Sequence, residues 1–184
     1  MIIDPGGDEK SITNCILENN SNVCAIINTH AHYDHIGAVN YLKNKYSVPF
    51  YLHSKDEKLL QSANFYMKVF EGTNYIKIPE VDFFIDHMEN LINIANFSIE
   101  ILFTPGHTYG SVCLLIENCL FTGDTLFKGE IGRTDLPGGN EDILKKSLKT
   151  ISMLPKHISI YAGHGAPSTI EEELKHNRNF VQAL

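Results

Sequence analysis

The sequence predicts a fold of the α+β (α/β) class, in which helices flank sheets, and three stretches carry this prediction. Residues 23–27 form a continuous, β-branched apolar run, which is typical of a strand buried on both faces. Residues 97–103 alternate phenylalanine and isoleucine with other side chains, which is a strand pattern. A helix is predicted over residues 141–154, where apolar side chains recur at helical spacing and face inward: Ile143, Leu144, Leu148 and Ile151.

Capping and periodicity predict the other elements of the first half. Asp8 is expected to cap the first helix. A helix is predicted over residues 36–46 and a strand over residues 49–52, which completes a βαβ unit with the preceding apolar run. Residues 54–57 spell a capping box that should start another helix. We expect a helical excursion within residues 62–80 that could overhang the functional site.

The second half is predicted to be mainly strands, closed by a helix. Residues 112–116 and 119–122 flank a short polar turn and predict a hairpin. Residues 158–162 predict the last strand, and Thr169 is expected to cap a final helix. At this length the chain fits a single domain, predicted to span residues 1–184.

Composition argues against several classes of partner. The formal net charge is −7, whereas a nucleic-acid or anionic-membrane surface requires clustered lysine and arginine. No apolar run reaches the roughly 20 residues that span a bilayer, and the N-terminal residues resemble no export signal. We therefore expect a cytoplasmic protein with no nucleic-acid and no membrane partner. The cysteines lack metal-site spacing and are expected to be buried, reduced thiols: Cys15, Cys24, Cys113 and Cys119.

Metal-binding side chains follow four of the predicted strands at the point where each strand ends. These candidate ligands, in chain order, are His30, His32, Asp34, His35, His107, Asp124 and His164. Residues two apart on extended backbone point the same way, so His30 and His32 can bind one metal ion together. Five histidines and two aspartates at strand ends therefore predict a metal site.

Imidazole and carboxylate ligands suit zinc in the first place, with iron or manganese as alternatives. Counting ligands gives one set for each of two divalent ions: His30, His32 and His107 for one, Asp34, His35 and His164 for the other, and Asp124 as a bridge. Ions about 3.5–4 Å apart would lower the pKa of a shared water toward about 7. The remaining histidines are expected to be structural or exposed: His53, His87, His157 and His176.

Four short segments together resemble the metallo-β-lactamase superfamily: the HxHxDH loop, TPGH, GD and GH. The resemblance covers almost the whole chain and implies a four-layer αββα sandwich. Within the superfamily, residues 127–139 look like the small bacterial hydrolases of the glyoxalase II group. The Asp-Pro-Gly-Gly motif of the family lies at residues 4–7. Because strands normally precede this motif in the family, the first N-terminal strands are expected to be missing.

The resemblance implies a binuclear, usually zinc, hydrolase that cleaves S-hydroxyacylglutathione thioesters such as S-D-lactoylglutathione. Attack by a metal-bridging hydroxide would make Asp34 and Asp124 catalytic, while Asp4 would orient the ligand loop from behind. Arg133 stands where the glyoxalase II group has a basic residue that meets glutathione. An ion pair with Asp135 is the alternative role for this arginine.

Other functions stay open at this point. The glutathione-contacting C-terminal domain of full-length glyoxalase II is expected to have no counterpart here, because the sequence ends about one helix after His164, and this keeps a broader thioesterase open. A persulfide dioxygenase-like enzyme of the same superfamily would use one iron on His30, His107 and Asp124. A non-catalytic module that keeps the fold is the rival from another class. An exported β-lactamase is disfavoured because no signal peptide is seen.

Overall fold

The structure is a computed structural model that describes residues 1–72 and 75–184. Its internal contacts divide the chain into two compact units, Met1–His87 and Met88–Leu184. Each unit combines a sheet with helices, as the predicted α+β class requires. The single domain over residues 1–184 stays a prediction.

The first unit is a parallel sheet with helices. Its strands run in the order β1, β2, β3, β4, each parallel to its neighbour. The elements in chain order are β1 (Ile2–Ile3), α1 (Glu9–Glu18), β2 (Ile26–Ile27), α2 (Tyr33–Ile36), α3 (Val39–Tyr46), β3 (Phe50–Leu52), α4 (Glu57–Gln61), α5 (Ala63–Glu71) and β4 (Phe83–Phe84), with 3-10 turns at Ser54–Asp56 and Ile85–His87.

Strand β2 lies at the centre of this unit and forms the predicted βαβ arrangement with β3. It is shorter than the run at residues 23–27 because the neighbouring β1 offers only Ile2–Ile3 for pairing. Ile26 and Ile27 are fully buried, as expected for a strand covered on both faces. Because all strands are parallel, the segments that follow β1, β2 and β3 emerge at the same edge of the sheet.

The helix predicted to start at residues 54–57 is confirmed as the 3-10 turn Ser54–Asp56 followed by α4, but the capping box itself is wrong. Ser54 donates its backbone N–H and its hydroxyl to the carboxylate of Asp86, at 2.8 and 2.6 Å. His53 caps the 3-10 turn instead, accepting the Lys55 N–H on Nδ1 at 3.2 Å. The helical excursion expected within residues 62–80 is partly seen as α5, and residues 73–74 lie outside the described part. Its overhang of a functional site stays a prediction.

The second unit is built on a sheet in the order β12, β11, β8, β7, β6, β5, beside a separate pair of β10 and β9. The elements in chain order are β5 (Leu91–Ile94), β6 (Phe97–Phe103), β7 (Val112–Ile116), β8 (Cys119–Gly123), β9 (Leu126–Phe127), β10 (Glu130–Ile131), α6 (Glu141–Ser152), β11 (Ser159–Ala162), β12 (Ser168–Thr169), α7 (Ile170–His176) and α8 (Arg178–Ala183). The predicted hairpin is confirmed as β7 and β8.

The direction of the strands explains why three ligand segments meet at one edge of this sheet. Strand β7 is antiparallel to both β6 and β8, and β11 is parallel to β8. The carboxyl ends of β6, β8 and β11 therefore point the same way. The Gly163 N–H donates to the Gly123 carbonyl at 2.8 Å, which ties the segments after β11 and β8 together.

Helix α6 packs on the core of the second unit through Leu144, Leu148 and Ile151. The inward position predicted for Ile143 is wrong, because this side chain is 37% exposed at the edge of the apolar stripe. Thr169 caps α7 as predicted and accepts the Glu172 N–H at 3.1 Å. That helix is not the last one, because α8 follows and buries Phe180.

The four thiols are free, but the prediction that all are buried is wrong. Cys113 is buried between β-strands, and burial raises the pKa of its thiol to about 12. Cys15 lies on the solvent face of α1 and is exposed, whereas Cys24 and Cys119 are half-buried. In the described ranges 1–72 and 75–184, every helix is too short or too polar to cross a bilayer.

Candidate metal centre

The first ligand cluster follows β2 and begins with two histidines on extended backbone. Nε2 of His30 lies 3.1 Å from Nδ1 of His32, and the two rings meet edge to face. The ring centroids of His30 and His35 are 4.1 Å apart. Three imidazole rings therefore lie close together. For His30 and His32 this was predicted, because residues two apart on extended backbone point the same way.

Asp34 and His35 stand on helix α2, not on the loop that the sequence indicates. The turn begins directly after His32 and carries Asp34 in its first turn, with Asp34 Oδ2 at 3.9 Å from His35 Nε2. Helix α2 can lie close to the backbone of Gly6 because this residue has no side chain. A Cβ at position 6 would lie 1.7 Å from the Asp34 carbonyl oxygen. Because Asp34 and His35 stand on a helical turn, their side chains point in directions different from those of His30 and His32 on the extended backbone.

Asp4 follows β1 and fixes this cluster with both of its carboxylate oxygens. Oδ1 accepts the Thr29 N–H at 2.7 Å, and Oδ2 accepts the Thr29 hydroxyl at 2.6 Å and Nδ1–H of His35 at 3.1 Å. With Nδ1 protonated, the lone pair of His35 that can bind a cation is on Nε2. The ligand atoms of Asp4, His30 and His35 lie within 4.8 Å of one another. This is the arrangement that the predicted orienting role of Asp4 requires.

Thr29 also links Asp4 to the first histidine, which the sequence analysis missed. Its hydroxyl oxygen lies 3.1 Å from Nδ1 of His30. Because the hydroxyl donates to Asp4, its oxygen can accept a hydrogen bond from Nδ1–H of His30, which leaves Nε2 as the metal-binding nitrogen. The position of Thr29 next to His30 was the only signal in the sequence.

The second ligand cluster lies in the second unit and consists of His107, Asp124 and His164. One oxygen of Asp124, Oδ2, lies 3.6 Å from His107 Nε2 and 3.9 Å from His164 Nε2. His107 is almost fully buried, whereas the side chain of His164 is 56% exposed. Two imidazole nitrogens therefore approach the same carboxylate oxygen from a buried side and from an open side.

The main chain of Arg133 orients His107. Nδ1–H of His107 donates to the Arg133 carbonyl at 2.8 Å, so Nε2 faces Asp124. The Arg133 side chain forms a bidentate ion pair with Asp135, at 2.7 and 2.8 Å. This hydrogen-bonded pair raises the pKa of Arg133 and lowers the pKa of Asp135 to about 2. The alternative role of Arg133 is therefore present, and its contact with glutathione stays a prediction.

Both clusters offer imidazole nitrogens and carboxylate oxygens, the donor set preferred by zinc, iron and manganese. The family model described as the metallo-beta-lactamase superfamily matches residues 1–164. The chain belongs to the metallo-beta-lactamase superfamily. The match spans both clusters, so the residues chosen from the sequence lie within the family domain.

Two curated relatives resemble most of the chain. The "probable metallo-hydrolase YqgX" of Bacillus subtilis is 37% identical over 184 residues, covering 96% of this chain and 85% of that protein. The "hydroxyacylglutathione hydrolase GloC" of Haemophilus influenzae is 36% identical, covering 96% of this chain and 84% of that protein. These names support a hydrolase-like member of the superfamily, and the clusters of histidine and aspartate ligand atoms suit a metal ion.

Two solved structures confirm the predicted fold. The crystal structure of the BLEG-1 B3 metallo-beta-lactamase has a TM-score of 0.90 and 36% identity, covering 96% of this chain and 86% of that one. TTHA1623, crystallised in a di-iron-bound form, has a TM-score of 0.84 and 32% identity, covering 96% and 87%. Similarity at this level shows the metallo-beta-lactamase fold.

The other four histidines have surroundings unlike those of the ligands. His53 is buried, its Nδ1 caps the 3-10 turn and lies 3.6 Å from Asp86, and burial lowers its pKa. His157 contacts the side chain of Asn118 at 3.3 Å on the surface. His87 and His176 are exposed. These surroundings match the structural or exposed roles expected for them.

Gly132 is expected to be essential for the packing of the second cluster. A Cβ at this position would lie 2.1 Å from the Asp124 carbonyl oxygen and 3.5 Å from Cβ of His107. G132A should therefore lower the free energy of unfolding by about 1–3 kcal/mol, because the loop must move. Calorimetry would measure this. G7A is the control, since a Cβ at Gly7 meets nothing within 4 Å; equal stability of both variants would contradict the close approach.

Proposed function

We propose that the chain is a binuclear metal-dependent hydrolase of the glyoxalase II type, which cleaves S-hydroxyacylglutathione or related thioesters. The observation that carries the proposal is the single Asp124 oxygen shared by the nitrogens of His107 and His164. This position supports a bridging role for Asp124, because a carboxylate that binds two ions must lie close to other ligands of both. The relative named hydroxyacylglutathione hydrolase supports the thioester class.

The proposed ligand sets are those predicted from the sequence: His30, His32 and His107 for one ion, Asp34, His35 and His164 for the other, and Asp124 for both. Zinc is our first choice, and iron is the alternative because TTHA1623 has been crystallised with two iron ions. When bound, such ions supply Lewis acidity and acidify a water molecule. The ligand assignment stays a prediction.

The chain's own residues complete the proposed chemistry. Asp4 and the Arg133 carbonyl hold protons on Nδ1 of His35 and His107, which keeps each Nε2 available as a ligand. Asp34 is 38% exposed and is proposed as the second catalytic carboxylate. A thiol with a pKa near 8.5 leaves as a thiolate with little help, so no cysteine or serine nucleophile is required.

A cavity beside His164 supports a substrate with both apolar and anionic parts. Its volume is about 460 Å³, and its lining includes Phe127, Lys128 and Glu130. The Phe127 ring lies 6.4 Å from the His164 ring, so an apolar surface adjoins a proposed ligand. Lys128 and Glu130 add a cation and an anion, which suit the carboxylates and the ammonium group of a glutathione-like thiol. The small-molecule partner is therefore proposed to be an anionic thioester.

Metal content measured together with hydrolysis tests this function. Purified protein is expected to hold two divalent ions per chain and to hydrolyse S-D-lactoylglutathione or another acyl thioester. Chelation should remove this activity and zinc should restore it. One iron per chain without a second metal would favour the mononuclear dioxygenase instead. Failure of the metal-loaded protein to cleave any thioester, lactone or phosphoester would favour the non-catalytic module.

A further inference from the structure

Asp56 reaches the ligand loop from a distant part of the chain. Its carboxylate is almost fully buried, and Oδ2 accepts the Ala31 N–H at 3.1 Å across 25 residues of sequence. Ala31 is itself fully buried and stands between the two histidines of the first cluster. A buried carboxylate thus holds the His30–Ala31 peptide group, the first of the two peptide groups that connect His30 with His32.

The position of Asp56 is fixed by the segment that carries it. Asp56 ends the 3-10 turn Ser54–Asp56, and its N–H donates to the His53 carbonyl at 3.0 Å. Asp86 anchors the start of this turn through Ser54, and helix α4 continues from Glu57. The carboxylate therefore belongs to a well-anchored turn after β3, at the sheet edge where the loop after β2 emerges.

We infer that Asp56 is a positioning residue that aligns His30 and His32 for metal binding, an inference that rests on the proposed function. On extended backbone the two side chains lie on one side of the chain, so the backbone at Ala31 sets both directions. The buried Ala31 N–H needs an acceptor oxygen at this place, and burial excludes water as a substitute. Asp4 holds the loop at Thr29 and His35, whereas Asp56 holds its middle.

Three substitutions of Asp56 distinguish the effect of where its acceptor oxygen lies from the effect of its negative charge. D56A removes the acceptor and should weaken zinc affinity about 10- to 100-fold, the usual loss for a residue behind the ligands. D56N keeps an acceptor oxygen without the charge and should stay within about threefold of the wild type. D56E keeps the charge but displaces the oxygen, and should lose affinity about as much as D56A.

Zinc affinity of the full chain is measured by competition with a chromophoric chelator, and circular dichroism checks the fold of each metal-free variant. D82A is the matched control, because Asp82 accepts the Phe50 N–H at 2.7 Å in the same unit but on β3. D82A should remove one negative charge, as D56A does, and leave the zinc affinity unchanged. If D56A does not fold, D56N and D56E still decide the question.

Two outcomes would overturn the positioning role. Unchanged zinc affinity in folded D56A or D56E would show that the loop aligns its histidines without Asp56. Loss of affinity in D56N together with retention in D56E would assign the effect to charge. Failure of the wild-type chain to bind zinc or iron would instead refute the proposed function, so the two failures are distinguishable.

Discussion

Replacing Asp124 with alanine is expected to abolish metal binding and hydrolysis together. The variant removes the oxygen that both His107 and His164 approach, at 3.6 and 3.9 Å. Loss of a bridging ligand should remove several kcal/mol of transition-state stabilisation, because the two ions are no longer held by a common ligand. We therefore expect kcat/KM for a thioester to fall at least about 1000-fold.

Metal analysis of the purified D124A variant, alongside steady-state kinetics, checks this expectation. D142A is a suitable control, because Asp142 is an exposed carboxylate of α6 in the same unit. It should keep both ions and full activity. Retention of two ions per chain by D124A would contradict the bridging role, even if activity were lost.

Replacing Asp4 with alanine is expected to have the second largest effect. The side chain accepts three hydrogen bonds, two from Thr29 and one from Nδ1 of His35. Asp4 also has a positive φ of 47°, which alanine adopts less readily than aspartate or asparagine. D4A should lower the free energy of unfolding by about 2–4 kcal/mol and zinc affinity about 10- to 100-fold.

The Asp8 residue provides a matched control for Asp4. It is also an aspartate with positive φ, 50°, and it accepts two hydrogen bonds from one residue, Ser11. D8A should reduce thermal stability modestly because a helix cap is lost, and zinc affinity should not change. D4N keeps the backbone preference and one acceptor, so it should fall between D4A and the wild type. Equal zinc affinity in D4A and D8A would contradict an orienting role for Asp4.

The sequence was most informative about where ligand-type side chains occur along the chain. Each of the four segments follows a strand as predicted: β2, β6, β8 and β11. This succeeds because apolar runs identify the strands, and within each sheet parallel strands end at the same edge. The sequence could not show that Asp34 and His35 stand on a helical turn, because one short turn has no detectable periodicity.

The supporting contacts were harder to predict than the ligands. The Arg133 carbonyl that orients His107 has no sequence signal, since every residue carries a carbonyl. The contact of Asp56 could not be predicted, because residues 54–57 have the sequence of a capping box and the partner Ala31 lies 25 residues away. Strands of two residues, such as β4 and β12, exist through pairing with a neighbour and are too short for a pattern.

Anomalous diffraction from crystals of the zinc-loaded protein is the most direct test of the binuclear centre. We expect two peaks about 3.5–4 Å apart, with Asp124 bound to both and the six other predicted ligands divided between them. Ligand distances should be about 2.0–2.2 Å. A single peak, or two peaks that leave Asp124 uncoordinated, would contradict the proposal that one carboxylate joins the two ions.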